Sequence, residues 1–469
     1  MELCDGISRR ELLRIGGLGA AGLMLPELLR AQPTVGPGKF GRAKRVIVLF
    51  MSGGPPQQDT WDLKPEASGS ARGEFRPIKT NVSGIEISEQ FPLLARQADK
   101  YAIIRSVTHG PGTRGVHTLG THAMLTGNAH PTGDQELSAE IWASPTDFPH
   151  YGSTLSYLRK SDPRVPSFVA LPMKQSSGDL TVWPGQGGGF LGARNDPLQV
   201  TADFKKHRMN PADYENCVFR APSLTLPDGV TADRLNARRR LLKSLEGVAR
   251  GTERDAAAGL LDHFREKAFD LLSSTETQKA FNLDAEPAAV RDRYGRHLFG
   301  QGCLLARRLA QAGVPLVTVY WHQDGNGSTA VAWDTHSSHY QHLKTLLMPP
   351  CDRGFSALLE DLDRTGMLAD TLVIWMGEFG RTHQINPAGG RDHWPPCQSI
   401  VMAGAGIRGG QVYGASDKNA AYPIENPVSP GDVGATIYWL LGIRPDVEIV
   451  DQGGRPHPLV RGEPLMGLM

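Results

Sequence analysis

Cysteine is scarce in this chain, five among 469 residues, and no two fall at C-x-x-C spacing. That excludes a cysteine-built zinc module, a thioredoxin-like redox motif and the dense disulfide framework of a small secreted domain. Cys4 lies in the N-terminal segment, and Cys217, Cys303, Cys351 and Cys397 leave every pairing open. Net charge is also nearly absent, since 50 Lys plus Arg against 49 Asp plus Glu give +1. A surface without a net field has little to attract a polyanion, which argues against nucleic acid as a partner. Long apolar runs are missing too: outside the N-terminal segment no stretch approaches the roughly 18 apolar residues of a membrane-spanning helix. There is no repeat of fixed period and no low-complexity tract.

Glycine and proline, by contrast, are plentiful at 54 and 34 residues. They imply many tight turns and long ordered loops, the places where sites are built, and argue against a helical bundle. The length suits one large α/β domain with insertions. Near the start, "SRRELLRIGGLGAAGLMLPELLRAQP" pairs Arg9 with Arg10 ahead of a mildly apolar stretch from Ile15 to Leu29 and the small residue Ala31. Gly16, Gly17, Gly19, Gly22 and Pro26 make that stretch a poor soluble helix. Residues 1–33 resemble a twin-arginine export signal, which implies a protein that folds before crossing the membrane and works in the periplasm or beyond.

Short apolar runs rich in β-branched residues recur at 43–51, 99–109, 165–172, 314–321, 371–377 and 398–404. Each is bounded by turn residues and reads as a buried strand. Helix-like segments lie between them, among them "ISEQFPLLARQA", residues 300–313 and residues 352–368. The alternation predicts an α/β fold with a mostly parallel central sheet and helices on both faces, over residues 44–465. Residues 231–285 read as a charged helical insertion, with His263 as an ordinary surface or packing histidine.

Doubly wound sheets bind ligands beyond the carboxyl ends of their strands, so the residues just after each strand matter most. Gln58, Asp59 and Asp62 come after the first; His109, His117, Thr118, Thr121 and His122 come after the second. Asp334 and His336, then His339 and His342, come after the strand at 314–321, and Glu378 with Asp392 and His393 after the one at 371–377. Carboxylates crowded on one rim repel each other unless a cation sits among them, and carboxylate mixed with imidazole suits zinc, manganese or iron. His339 and His342 also fit an exposed helix. The Asp392-His393 pair sits in a Gly- and Pro-bounded loop where no regular structure requires it.

The segments "RGEFRPIKTNVSGIEISEQFPLLARQADKYAIIRSVTH", "HTLGTHAMLTG", "WDTHSSHY", "VIWMGEFGRT", "GRDHWP" and "GGQVYGASDKNAAYP" resemble, in order, the DUF1501 family of exported bacterial proteins, itself similar to the alkaline phosphatase and sulfatase superfamily. The resemblance implies an alkaline-phosphatase-like fold. It places His117, with Thr118 beside it, where the superfamily has its nucleophile at a helix start. It implies Asp334 and His336 as a metal-binding pair, and Glu378 where the superfamily has Asp-His, with Phe379 in place of the histidine. His393 takes the position of the final metal histidine, with Asp392 as ligand or orienting partner. Asp59 or Asp62 would serve in place of an aspartate directly after the first strand. Arg381 and Arg391 flank the site and would hold an anionic ester.

The implied protein is a hydrolase of phosphate or sulfate esters using one or two divalent cations, zinc or manganese, on a small-molecule or glycan ester. The alternative is a non-catalytic binding or scaffold protein of the cell envelope that keeps the fold.

Overall fold

A computed structural model describes residues 40–131, 140–159, 162–176, 181–203, 218–221, 230–249, 265–266, 268–272, 274–321 and 332–469. The export-like segment, Cys217 and His263 lie outside the described residues. Gly41–Met469 forms one unit.

The apolar runs pair as one eight-stranded sheet because each needs neighbours for its backbone and cover for both faces. Its members are β1 (Arg45–Phe50), β2 (Tyr101–Val107), β3 (Phe168–Leu171), β4 (Leu198–Gln199), β5 (Leu316–Tyr320), β6 (Thr371–Met376), β7 (Gln398–Ala403) and β8 (Gln411–Tyr413). The order is β8-β2-β7-β6-β1-β5-β3-β4. β1 lies at the centre, parallel to both neighbours, with Val46 opposite Leu372 on one side and Leu316 on the other. Only β7 runs against its neighbours, β6 and β2. The sheet is therefore mixed and mostly parallel.

Alternate residues of β1 show why helices cover both faces. Ile47 and Leu49, with Met51 just beyond the strand, join a core with Leu304 and Leu305 of α3 (Leu298–Gln311) and Phe355 and Leu358 of α4 (Met348–Arg364). Val46, Val48 and Phe50 join a second core with Met124 and Leu125 of α2 (His117–Thr126) and Val433 and Ile437 of α5 (Pro430–Leu440). A short first helix, α1 (Gln57–Thr60), comes after β1. Each buried Val, Leu or Ile contributes roughly 1.5–3 kcal/mol, so the two cores together hold the sheet rigid beneath the loops.

Two local readings change. The segment expected to be helical at 87–98 begins as a strand, Glu86–Ser88, and ends in a 3-10 helix, Leu94–Lys100. Pro92 is the physical reason, because proline disfavours helical geometry in the residue before it. His339, compatible with an exposed helix, is completely buried. Within the expected insertion the described residues include the helices Ala232–Ala249 and Thr275–Phe281 and helical residues at 265–266 and 268–272. Cys303, Cys351 and Cys397 are free and buried. No helix among the described residues is long and apolar enough to cross a membrane.

Candidate metal centre

β1, β2, β5 and β6 point the same way, so the segments beyond them meet at one rim. His117 is the first residue of α2, which Gly127 ends in a left-handed conformation (φ 74°). Glu378 comes just after β6 and is fully buried. Its Oε1 accepts from Gly53 N (2.7 Å), a residue with φ +108°, where an added Cβ would lie 2.3 Å from the Asp334 backbone nitrogen. Only glycine lets the loop after β1 pass this close. His393 arrives on a two-residue strand, His393–Trp394, paired antiparallel with Gly380–Arg381 so that Arg381 stands opposite His393.

Four side chains converge. His336 Nε2 and His393 Nε2 lie 2.9 Å apart, and each is 3.0 Å from Asp334 Oδ1. His117 Nε2 approaches from the far side, 3.3 Å from Asp334 Oδ2, without making a hydrogen bond. Chelating atoms of His117, Asp334 and His393 all lie within 4.8 Å of one another. Every histidine has its other ring nitrogen held: His117 Nδ1 by Glu378 Oε1 (2.6 Å), His336 Nδ1 by Asp392 Oδ1 (2.7 Å) and His393 Nδ1 by the Gly115 carbonyl (2.5 Å). Holding Nδ1–H in this way assigns the tautomer that presents a bare Nε2, the arrangement used by metal-bound imidazoles. Arg381 donates to Asp334 Oδ1 and to the carbonyls of Gly53, Gly54 and Arg391.

Electrostatics show the same need for positive charge. Burial alone would lower the His117 pKa, but Asp334 and Glu378 outweigh it and raise the value to about 10. Burial raises the Asp334 pKa, and Arg381 and His117 more than reverse that, leaving it well below the ordinary carboxylate range. Burial pushes His393 down to about 4. His336 is raised by its bond to Asp334 against some desolvation. Glu378 Oε2 is buried with no hydrogen-bond partner, as is His117 Nε2. A buried carboxylate and an unpaired ring nitrogen are costly, and a proton on His117 or a divalent cation would meet the requirement.

The donor set fits a cation. Four bonds of about 2.0–2.2 Å to a tetrahedral zinc place neighbouring donor atoms roughly 3.3–3.6 Å apart, slightly wider than the 2.9–3.3 Å separating Asp334 oxygens, His117 Nε2, His336 Nε2 and His393 Nε2 where they meet. Side chains of His336 and His393 are 38% and 21% exposed, whereas His117 and Asp334 are nearly sealed, so the cluster opens to solvent on one side.

Other expected site residues lie elsewhere or play other parts. Glu378 and Asp392 orient histidines through the contacts just given. Asp59 is buried with Arg391 (Nε to Oδ2, 2.7 Å) and His339 (Nε2 to Oδ2, 3.0 Å) and makes no contact with the three-donor group. Burial raises its pKa and Arg391 and His339 bring it below its usual value, while burial lowers that of His339. Arg391 spends its donors on Asp59, Thr382 O, Ser70 O and Tyr340. Both arginines are fully buried, so neither has a free face for an ester. Asp62 pairs with Lys64 and Arg105. Thr118 Oγ1 accepts from Ile141 N (3.1 Å), while Thr118 N–H donates to the Glu140 carboxylate (3.1 Å). The Gly115 carbonyl was not legible in the sequence, since backbone acceptors leave no residue-type signal.

A mostly parallel α/β chain with a histidine-carboxylate centre at its strand ends is the class that fold and site define. Residues 43–469 match the family described as "Protein of unknown function (DUF1501)", and the chain belongs to that family. No curated protein matches it. Among solved structures it is similar to Ps i-CgsB in complex with k-i-k-neocarrahexaose (10% identical, TM-score 0.39, covering 89% of this chain and 74% of that one). It is also similar to the PsFucS1 sulfatase from Pseudoalteromonas sp. (13%, TM-score 0.34, 89% and 70%). A third is a protein in the alkaline phosphatase superfamily from Vibrio parahaemolyticus (12%, TM-score 0.32, 88% and 71%). Residue roles in this chain rest on its own geometry.

Proposed function

We propose that this chain is an exported hydrolase of phosphate or sulfate esters, working with zinc or manganese held by His117, Asp334, His336 and His393. The carrying observation is that three Nε2 atoms surround one carboxylate while every Nδ1 is committed elsewhere. A cation there would polarise an ester oxygen and acidify water. The remaining work belongs to the chain: Glu378 holds the proton on His117 Nδ1, Asp392 fixes the His336 ring, and Arg381 keeps the Asp334 carboxylate in place.

The anionic end of the ester would lie against the start of α2. That helix end already accommodates an anionic oxygen, the Glu140 carboxylate on Thr118 N–H. Arg114, exposed and with no side-chain partner among the described residues, sits beside Gly115 in the loop leading to α2, and is our candidate for gripping the ester in place of Arg381 and Arg391. A glycan or small-molecule ester is the substrate class we favour.

One observation favours a second reading, a non-catalytic envelope binding protein: the Thr118 hydroxyl beside the centre is tied to Ile141 N and is fully buried. Incubating zinc- or manganese-loaded protein with phosphate and sulfate monoesters and diesters separates the two. Turnover that falls about a hundredfold or more in His393→Ala supports the hydrolase. Cation and ester binding without turnover of any ester supports the binding protein.

A further inference from the structure

Asp59, His339, Thr335 and Arg391 form a closed ring of bonds that touches no solvent. His339 Nε2–H donates to Asp59 Oδ2 (3.0 Å), which leaves His339 Nδ1 bare to accept from the Thr335 hydroxyl (2.6 Å). Arg391 forms an ion pair with the same Asp59 carboxylate (Nε to Oδ2, 2.7 Å) and donates to its other oxygen from Nη2 (3.4 Å), and its backbone N–H donates to the Thr335 carbonyl (3.0 Å). Exposure of all four is 1% or less. The order hydroxyl, imidazole, carboxylate resembles a nucleophilic triad, but complete burial denies it any substrate.

Its position in the chain suggests a different task. Thr335 lies between Asp334 and His336, and Arg391 directly precedes Asp392 and His393. The ring therefore ties together the two segments that carry three of the four proposed ligands, one from after β5 and one from after β6. The same two segments touch again at a bridge between Ser337 and Gly389 and at Gly390, where an added Cβ would lie 1.9 Å from the His336 carbonyl carbon.

We propose that Asp59, His339 and Thr335 are positioning residues that set the spacing of the Asp334–His336 turn against His393, and thereby the cation affinity of the centre. The inference rests on the metal-centre reading. The ring fixes where Asp334 Oδ1, His336 Nε2 and His393 Nε2 stand before a cation arrives, so less ordering accompanies binding.

The test is zinc affinity of the full chain, measured by competition with a chelating dye, beside thermal melts in excess chelator. A destabilisation shared by both states lowers the melting temperature without changing affinity, so affinity reports positioning where melting cannot. Thr335→Val and His339→Gln should weaken zinc binding by roughly ten- to a hundredfold, with Thr335→Ser restoring most of it. Asp361→Asn, which neutralises a buried carboxylate paired with Arg293 and Arg364, should lower the melting temperature and bind zinc like the parent chain. Unchanged zinc affinity in Thr335→Val and His339→Gln would overturn the proposal, whatever their melting temperatures. His393→Ala separates the two levels: if it abolishes zinc binding while the ring variants bind normally, the ring's role alone fails. If the parent chain binds no zinc that His393→Ala loses, the metal-centre reading falls and takes the ring's role with it.

Discussion

Glu378 sits one imidazole ring away from the proposed cation, across His117, and its other oxygen has no partner. Glu378→Gln keeps the volume but removes the charge that holds His117 in its tautomer. Zinc or manganese affinity should fall by roughly ten- to a hundredfold, read by titration calorimetry. Arg114→Ala acts on a different term. If Arg114 grips the ester, the variant should raise KM about tenfold or more with little change in kcat on whichever ester is turned over, since the contact is made equally before and during reaction. Equal KM would remove Arg114 from the site. At this scale the sequence was informative where residue types are unusual for their place. Asp334, His336, Glu378, Asp392 and His393 stood out as acids and imidazoles after strands, and they do share one rim. Asp59 and Arg391 were equally visible but misplaced, because they pair with each other across 332 positions and sequence spacing carries no trace of such a partner.

The start of α2 is the element on which ester binding depends. Glu140 occupies the Thr118 amide, so it competes with any anion for the helix end. Glu140→Ala should therefore bind inorganic phosphate several-fold more tightly, a gain on the order of 1 kcal/mol, measured by calorimetry on the cation-loaded chain. Unchanged or weaker phosphate binding would place the anion elsewhere. A second element offers a pH test remote from the centre. Asp352 on α4 accepts from the backbone N–H groups of Leu93 (3.0 Å) and Leu94 (2.9 Å). Burial pushes its pKa up to about 6 despite those bonds, from an ordinary value of 3.8. The folded state thus binds this proton more tightly than the unfolded chain. Its stabilising effect is complete below the unfolded pKa and is lost as pH rises through about 6. The melting-temperature difference, parent chain minus Asp352→Asn, should fall across that window and then stay level; a rise across it would reverse the assigned sign. The nearby segment 87–98 shows the limit of reading elements from periodicity. Its apolar spacing looks helical, yet the proline within it dominates locally and the packing of Leu94 and Ala98 needs only a 3-10 turn.

For the whole molecule, the sheet was the most legible feature. Continuous β-branched runs such as "RVIVLF" and "TLVIWM" have one stable home, a strand covered on both faces, and their carboxyl ends then had to share a rim. Which loops close over that rim was not legible, because the meeting of residues 334–336 with residues 389–393 depends on backbone approach at single glycines. Export also belongs to this scale. Replacing Arg9 and Arg10 together by lysine should leave the chain in the cytoplasm of its host with its N-terminal segment uncleaved, as read by cell fractionation and mass spectrometry. Normal fractionation of that variant would reject the twin-arginine reading. The central claim, that four side chains from three strand ends hold one divalent cation, is tested most directly by anomalous X-ray scattering from crystals grown with zinc or manganese. A single strong peak should lie within bonding distance of Nε2 of His117, His336 and His393 and of the Asp334 carboxylate. A map without density at that point, in crystals whose cation sits elsewhere or nowhere, would refute it.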